Sequence, residues 1–286
     1  MRFTALGRPL DPSWPTNRAV MVLIPVGAAI GWAWNVWGAG MRSPWSGALV
    51  AAGAVLGGWA LGREVDPDRQ GTAFVAMVWA VAAGLTVPSS GLLPLFTVLL
   101  LARVVDRTVG PPATVLDAGV ALGLVLGCVA ASGNPGFGVV GAVAFAVDVA
   151  LGGPRRHGLV AVLAVAGAAW GLADPGFGGG MDWALPSPRV GLLAAAIAGS
   201  FLVALVRTRS LVSVSDRGGL PLEPRRVRWG MAVVLLWALA TVERGDVGIR
   251  EGAMVWAVLA AVPMWRVVGG DVRGMSQEDD RPRNGE

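Results

Sequence analysis

The sequence predicts an all-α, polytopic transmembrane helical bundle of about ten spans, N-in/C-in, and three observations carry that prediction. Of 286 residues, 54% are hydrophobic and 15% charged, with a mean hydropathy of +0.61, far from an ordinary soluble domain. Apolar stretches near the ~20 residues that a membrane-spanning helix needs recur along the whole length. All 23 basic side chains are arginine, and they crowd into alternate gaps. One set is Arg2, Arg8, Arg18; Arg63, Arg69; Arg103, Arg107; Arg155, Arg156; Arg207, Arg209, Arg217, Arg225, Arg226, Arg228; and Arg266, Arg273, Arg281, Arg283. The other is Arg42, Arg189, Arg244 and Arg250. Short cationic loops stay on the cytoplasmic side of a bacterial inner membrane, so the alternation orients the spans.

The elements follow in order. Residues 1–18 form a polar N-terminal segment expected in the cytoplasm; the segment lacks the features of a cleaved signal peptide, so the first span is expected to stay. Spans are expected at 20–37, 45–62, 72–87, 92–105, 113–131, 136–151, 158–173, 190–206, 229–242 and 252–268. The long loop 207–228 sets six arginines against Asp216 and Glu223, which predicts attraction to the anionic cytoplasmic leaflet of the bilayer. Residues 269–286 read as a disordered cytoplasmic tail, and 1–286 as a single integral membrane domain.

Small residues four apart let apolar helices approach closely where lipid removes most of the hydrophobic gain. Gly27/Gly31, Gly53/Gly57, Gly58/Gly62 and Gly119/Gly123/Gly127 have that spacing, the last run reading as the best internal face. With 13 tryptophans and no tyrosine, Trp14, Trp229 and Trp265 fit the inner interface and Trp37, Trp45, Trp170 and Trp183 the outer one. Trp32, Trp59, Trp79, Trp237 and Trp256 read as deeper. A period of about 40 residues runs through Asp66, Asp106 and Asp148 and pairs 134–138 with 174–178, suggesting repeated helical hairpins.

The composition excludes much. Without lysine there is no retinal Schiff base, phosphate-loop lysine or lysine nucleophile. A single histidine, His157, rules out histidine-based metal clusters and bis-histidine haem, and beside Arg155 and Arg156 it reads as a solvated loop residue. Cys128 alone forms no intramolecular disulfide. The pI near 11.0 reflects arginines facing anionic lipid rather than nucleic acid.

Candidate chemistry lies on the inner side, where Arg63, Glu64, Asp66, Asp68, Asp106, Arg107, Asp117, Asp148, Arg155 and Arg156 are the candidates for binding a substrate or headgroup; no catalytic residue is assigned. Asp117, one turn inside its helix, reads as a cap favoured by the helix dipole. Asp148 falls in the last turn of a span, where the dipole opposes it and burial demands a partner; Arg155 and Arg156 are nearest in sequence.

Arg63-Glu64-Val65-Asp66 after the second span, Asp148 with Arg155-Arg156 and Gly158 after the sixth, and Arg18, Pro25 and Gly27 at the first resemble the intramembrane aromatic prenyltransferases. That resemblance implies an enzyme holding magnesium and a prenyl diphosphate at two cytoplasmic aspartate motifs. Gly58, Trp59, Gly62 and Gly152 stand where the family's other motif residues would be, leaving Asp66 and Asp148 as metal candidates. The count of ten spans with both ends inside is similar to the drug/metabolite transporter superfamily, built from two inverted five-span halves, and 47–62 aligns without gaps to 158–173. The expected function is binding or translocation of a small molecule or lipid intermediate. The alternatives are a prenyltransferase-like enzyme acting on a phosphorylated isoprenoid, with magnesium its cofactor in that case alone, and a non-catalytic assembly subunit.

Overall fold

The computed structural model describes residues 4–7, 10–38, 43–173, 183–216 and 219–268. Eleven helices make up the described chain: α1 (Pro15–Val36), α2 (Pro44–Val65), α3 (Gln70–Thr86), α4 (Leu92–Asp106), α5 (Val115–Ser132), α6 (Gly136–Ala150), α7 (Arg156–Ala173), α8 (Pro188–Arg207), α9 (Pro224–Val242), α10 (Gly245–Glu251) and α11 (Ala253–Val268). Among the described residues β-pairing is limited to two isolated bridges, Ala184 with Arg244 and Val214 with Pro221.

Each of the ten expected stretches forms a helix, and the short α10 is an addition. It lies against α9 and meets α11 at a 75° bend. Helices α1, α2, α5, α7 and α8 are long and apolar enough to cross a membrane, and α10 with α11 adds a sixth if the bent pair is one crossing. The expected helix starts err mainly where proline is N1: α1 begins at Pro15, five residues before the expected 20, because proline's missing N–H costs nothing there.

Packing divides the helices into a centre and a rim. No residue of α4 is exposed, and α2 is buried over most of its length. Helix α4 has 15 residues, about 22 Å of rise, short of the ~30 Å of a hydrocarbon core. Rim helices carry exposed aliphatic faces, such as Val22 and Ile30 on α1, Leu159 and Val162 on α7, and Leu192 and Leu193 on α8. Apolar side chains outward and charged ones inward at one end is the pattern of a bundle surrounded by lipid rather than water.

Glycine brings α1 and α2 into backbone contact. A Cβ on Gly31 would sit 2.3 Å from the Gly47 carbonyl oxygen, and one on Gly27 would sit 2.7 Å from a Val55 methyl. The expected internal face of α5 is corrected: a methyl group added at Gly119 or Gly123 would meet nothing within 4 Å, so both glycines face outward. Cys128, Val125 and Ala121 turn inward instead. Two of the five deep tryptophans are corrected as well. Trp32 and Trp79 are exposed on the rim, whereas Trp59, Trp237 and Trp256 are buried, Trp237 stacked on Phe137 with ring centroids 4.4 Å apart.

The loop after α8 folds back over the bundle. Ser213 N donates to Asp68 Oδ1 at 2.9 Å and Asp216 N to the Thr108 carbonyl at 3.1 Å, which ties the segment to the α2–α3 and α4–α5 turns. Ser215 N to Leu220 O, 2.8 Å, and Leu222 N to Ser213 O, 3.1 Å, close it as a small hairpin. Of the 40-residue repeat, Asn134-Pro135-Gly136 opens α6, while 174–178 lies outside the described residues, as does the expected tail 269–286.

Candidate functional site

The C-terminal ends of α2, α4, α6, α8 and α11 and the N-terminal ends of α5, α7 and α9 meet at one end of the bundle, where arginines and carboxylates form a buried polar plate. Helix C-termini leave their last carbonyls without intrahelical donors. Here arginine supplies them: Arg226 donates to Val105 O at 3.0 Å and to Leu151 O, and Arg266 to Ala204 O at 2.8 Å. A lysine has neither the fork nor the number of donors for this, which gives the lysine-free composition a structural use.

Asp148 is the centre of the plate, fully buried at 0% exposure. Its Oδ1 accepts from Arg107 and Arg226, each at 2.9 Å, and its Oδ2 lies 2.8 Å from His157 Nδ1. Helices α4, α6, α7 and α9 are thereby joined through one carboxylate. Two expected features are corrected. The partners of Asp148 are Arg107 and Arg226 rather than Arg155 and Arg156, and His157 is not a solvated loop residue but a buried one in the first turn of α7, with Phe145 edge-on at 5.5 Å. Arg156 instead reaches the Ala113 carbonyl at 2.9 Å, and Arg155 is exposed.

Two local features hold this geometry. Arg107, the C-cap of α4, has φ +57°, a left-handed conformation that costs a non-glycine residue about 1 kcal/mol. Gly153 approaches Asp148 so closely that a Cβ there would lie 2.0 Å from Oδ2.

A second cluster joins α2 to α4. Glu64, 1% exposed, accepts from Arg103 Nε at 2.8 Å and from the Thr108 hydroxyl, and Arg103 also donates to the Leu6 carbonyl at 3.0 Å. Asp106 accepts from Thr108 N at 3.2 Å and lies against Gly230 of α9. The third cluster is Asp66, whose Oδ1 accepts from Arg69 at 3.2 Å and Arg266 at 3.0 Å while Oδ2 accepts from Thr72 at 2.7 Å. Asp117 forms the expected cap: with Thr114 it makes a reciprocal capping box, and it accepts from Ala5 N at 2.8 Å, docking the N-terminal segment. Arg63 lies over the Trp59 ring at 5.4 Å and 4.0 Å from Asp216.

The ten candidates therefore share one end of the bundle but separate into distinct clusters. Magnesium does not fit Asp66 or Asp148, because both oxygens of each are engaged by donors and two of those donors are guanidinium groups in each case. Among the described residues no group of three or more His, Cys, Asp or Glu side chains is placed to hold a metal. Arg103, Arg226 and Arg266 escape sequence reasoning because their partners lie 39, 78 and 200 residues away. Their one legible signal is membership of the larger of the two alternating arginine sets.

The opposite end is held differently. Asn134 Nδ2 donates to Ala240 O at 2.7 Å and Trp256 Nε1 to Thr241 Oγ1 at 3.0 Å. Arg244 and Glu251, 2.5 Å apart, clamp α10 locally rather than joining helices across the bundle. Burial pushes the Glu243 carboxyl above its ordinary range. Compared with family models, characterised proteins and solved structures, the chain matches none.

Proposed function

We propose that the chain is a multi-pass inner-membrane carrier for a small molecule or lipid intermediate, with both termini in the cytoplasm and the arginine–carboxylate plate as its closed cytoplasmic gate. The observation that carries this reading is the distribution of the ion pairs. Among the described residues those linking separate helices gather at one end, at Asp148, Glu64 and Asp66, while the far end is joined by close glycine contacts and hydrogen bonds, Ser187 N to Asp246 Oδ1 at 2.7 Å among them. Buried ion pairs add little net stability over apolar packing, but they define one arrangement sharply and are broken at high cost. That combination suits helix ends which must separate and re-form as a unit.

Ala144, fully buried one turn inside Asp148 on α6, is the reporter position. With Cys128 replaced by alanine, Ala144→Cys in sealed vesicles should react slowly with an impermeant thiol reagent applied at the arginine-rich side. Asp148→Asn, or Arg226→Gln if the first variant does not insert, should speed that labelling by at least about tenfold, the effect of 1.4 kcal/mol on the opening equilibrium. Unchanged labelling in an inserted variant would contradict a gate and remove the carrier reading with it.

A further inference from the structure

We infer that His157 is the proton-binding site of this gate, so that the gate is closed with a neutral imidazole and opened by protonation. The inference rests on the carrier reading above and adds its coupling ion. His157 is fully buried, with Nδ1 on Asp148 Oδ2 at 2.8 Å and Nε2 without a hydrogen-bond partner among the described residues. With Arg107 and Arg226 both donating to Asp148 Oδ1, the carboxylate is an acceptor, so the ring proton sits on Nδ1 and a bare lone pair on Nε2.

That arrangement suits the neutral ring and no other. A proton added at Nε2 becomes a buried N–H with no acceptor, and a third cation joins two guanidinium groups around one carboxylate. Among the described residues the charged groups around the ring leave nothing to absorb it. From α6 comes Asp148, already shared. From α5 comes Asp117, occupied by Thr114 and Ala5 N. From α4 and α9 come Arg107 and Arg226, the latter 3.3 Å from Glu223 Oε2. On α7 itself Arg156 is tied to Ala113 O and Arg155 is exposed. Water is the acceptor that a protonated Nε2 needs, and it becomes available when the end of α7 moves off α6. One proton taken up on opening shifts the closed-to-open ratio by at most about tenfold per pH unit.

The test uses the full chain with Cys128→Ala and Ala144→Cys in vesicles, labelled from the arginine-rich side between pH 5 and 8. Rates are taken relative to the same cysteine in Asp148→Asn, which removes the reagent's own pH dependence. The relative rate should rise severalfold from pH 8 to pH 5. His157→Asn keeps an amide donor near the Nδ1 position but cannot titrate, and should give a slow, flat profile; His157→Gln serves if that variant does not insert. A flat profile in the parent, or an acid-induced rise that survives both substitutions, would overturn the assignment of His157. Fast labelling of Asp148→Asn at every pH would in those cases leave the gate standing, so the two claims fail separately.

Discussion

At the scale of single residues, the decisive quantity is the cost of leaving a buried charge alone. Asp148→Asn strands Arg107 and Arg226 around a neutral amide, and breaking a buried pair typically costs about 3–5 kcal/mol. The expected outcome is a clear loss of thermal stability in detergent. Asp68→Asn is the contrast: Asp68 is exposed and, among the described residues, holds the backbone of 212–213, so the loss should stay within about 1 kcal/mol. Equal losses for the two variants would place the importance of Asp148 elsewhere. Gly153→Ala drives a methyl group to 2.0 Å from Asp148 Oδ2 and should destabilise the chain without altering any charge.

The sequence marks Asp148 as the acid that needs a partner, because a carboxylate in the last turn of an apolar helix has both dipole and solvation against it. It does not name the partner. Arg107 is 41 residues away and reaches Asp148 only through a left-handed cap, and Arg226 belongs to another helix altogether. His157 departs from expectation for a related reason: a local run of Arg-Arg-His-Gly signals a polar turn, while its burial is decided by where α6 ends.

At the scale of helices, glycine spacing identifies the right contacts in α1 and α2 and the wrong ones in α5. Spacing shows that a narrow stripe exists, not which side of the helix carries it. Gly31→Val and Gly123→Val separate these cases in one assay. The first forces a side chain onto the Gly47 carbonyl and should cost several kcal/mol or prevent folding, as thermal unfolding would record. The second faces open space, and its melting temperature should stay near the parent's. Similar losses at both positions would mean that the outward face of α5 is covered in the folded protein.

At the scale of the whole molecule, the alternation of arginines supplies one organising fact, that these loops share an end of the bundle, and the plate realises it in atoms. Which side of the membrane that end faces is a matter for labelling. Single cysteines at Ser213 and Ser187, in a Cys128→Ala background, should be reached from the cytoplasmic and the external side respectively. The inverted-half symmetry suggested by matching 47–62 with 158–173 places its two tryptophans in unlike surroundings, Trp59 at 1% exposure and Trp170 at 62%. Sequence likeness among Ala, Gly, Val and Leu measures a shared solvent more than a shared role.

The most direct test of the plate as a connected unit is a double-mutant cycle on Asp148→Asn and Arg226→Gln, read as unfolding free energy in detergent. Each substitution alone leaves the other group buried with one charged partner fewer, and the two together remove both charges. The interaction predicted is a coupling of about 1–3 kcal/mol, with the double variant less destabilised than the sum of the singles. Strict additivity would contradict it, since two charges that do not sense each other across 2.9 Å cannot hold α6 and α9 together.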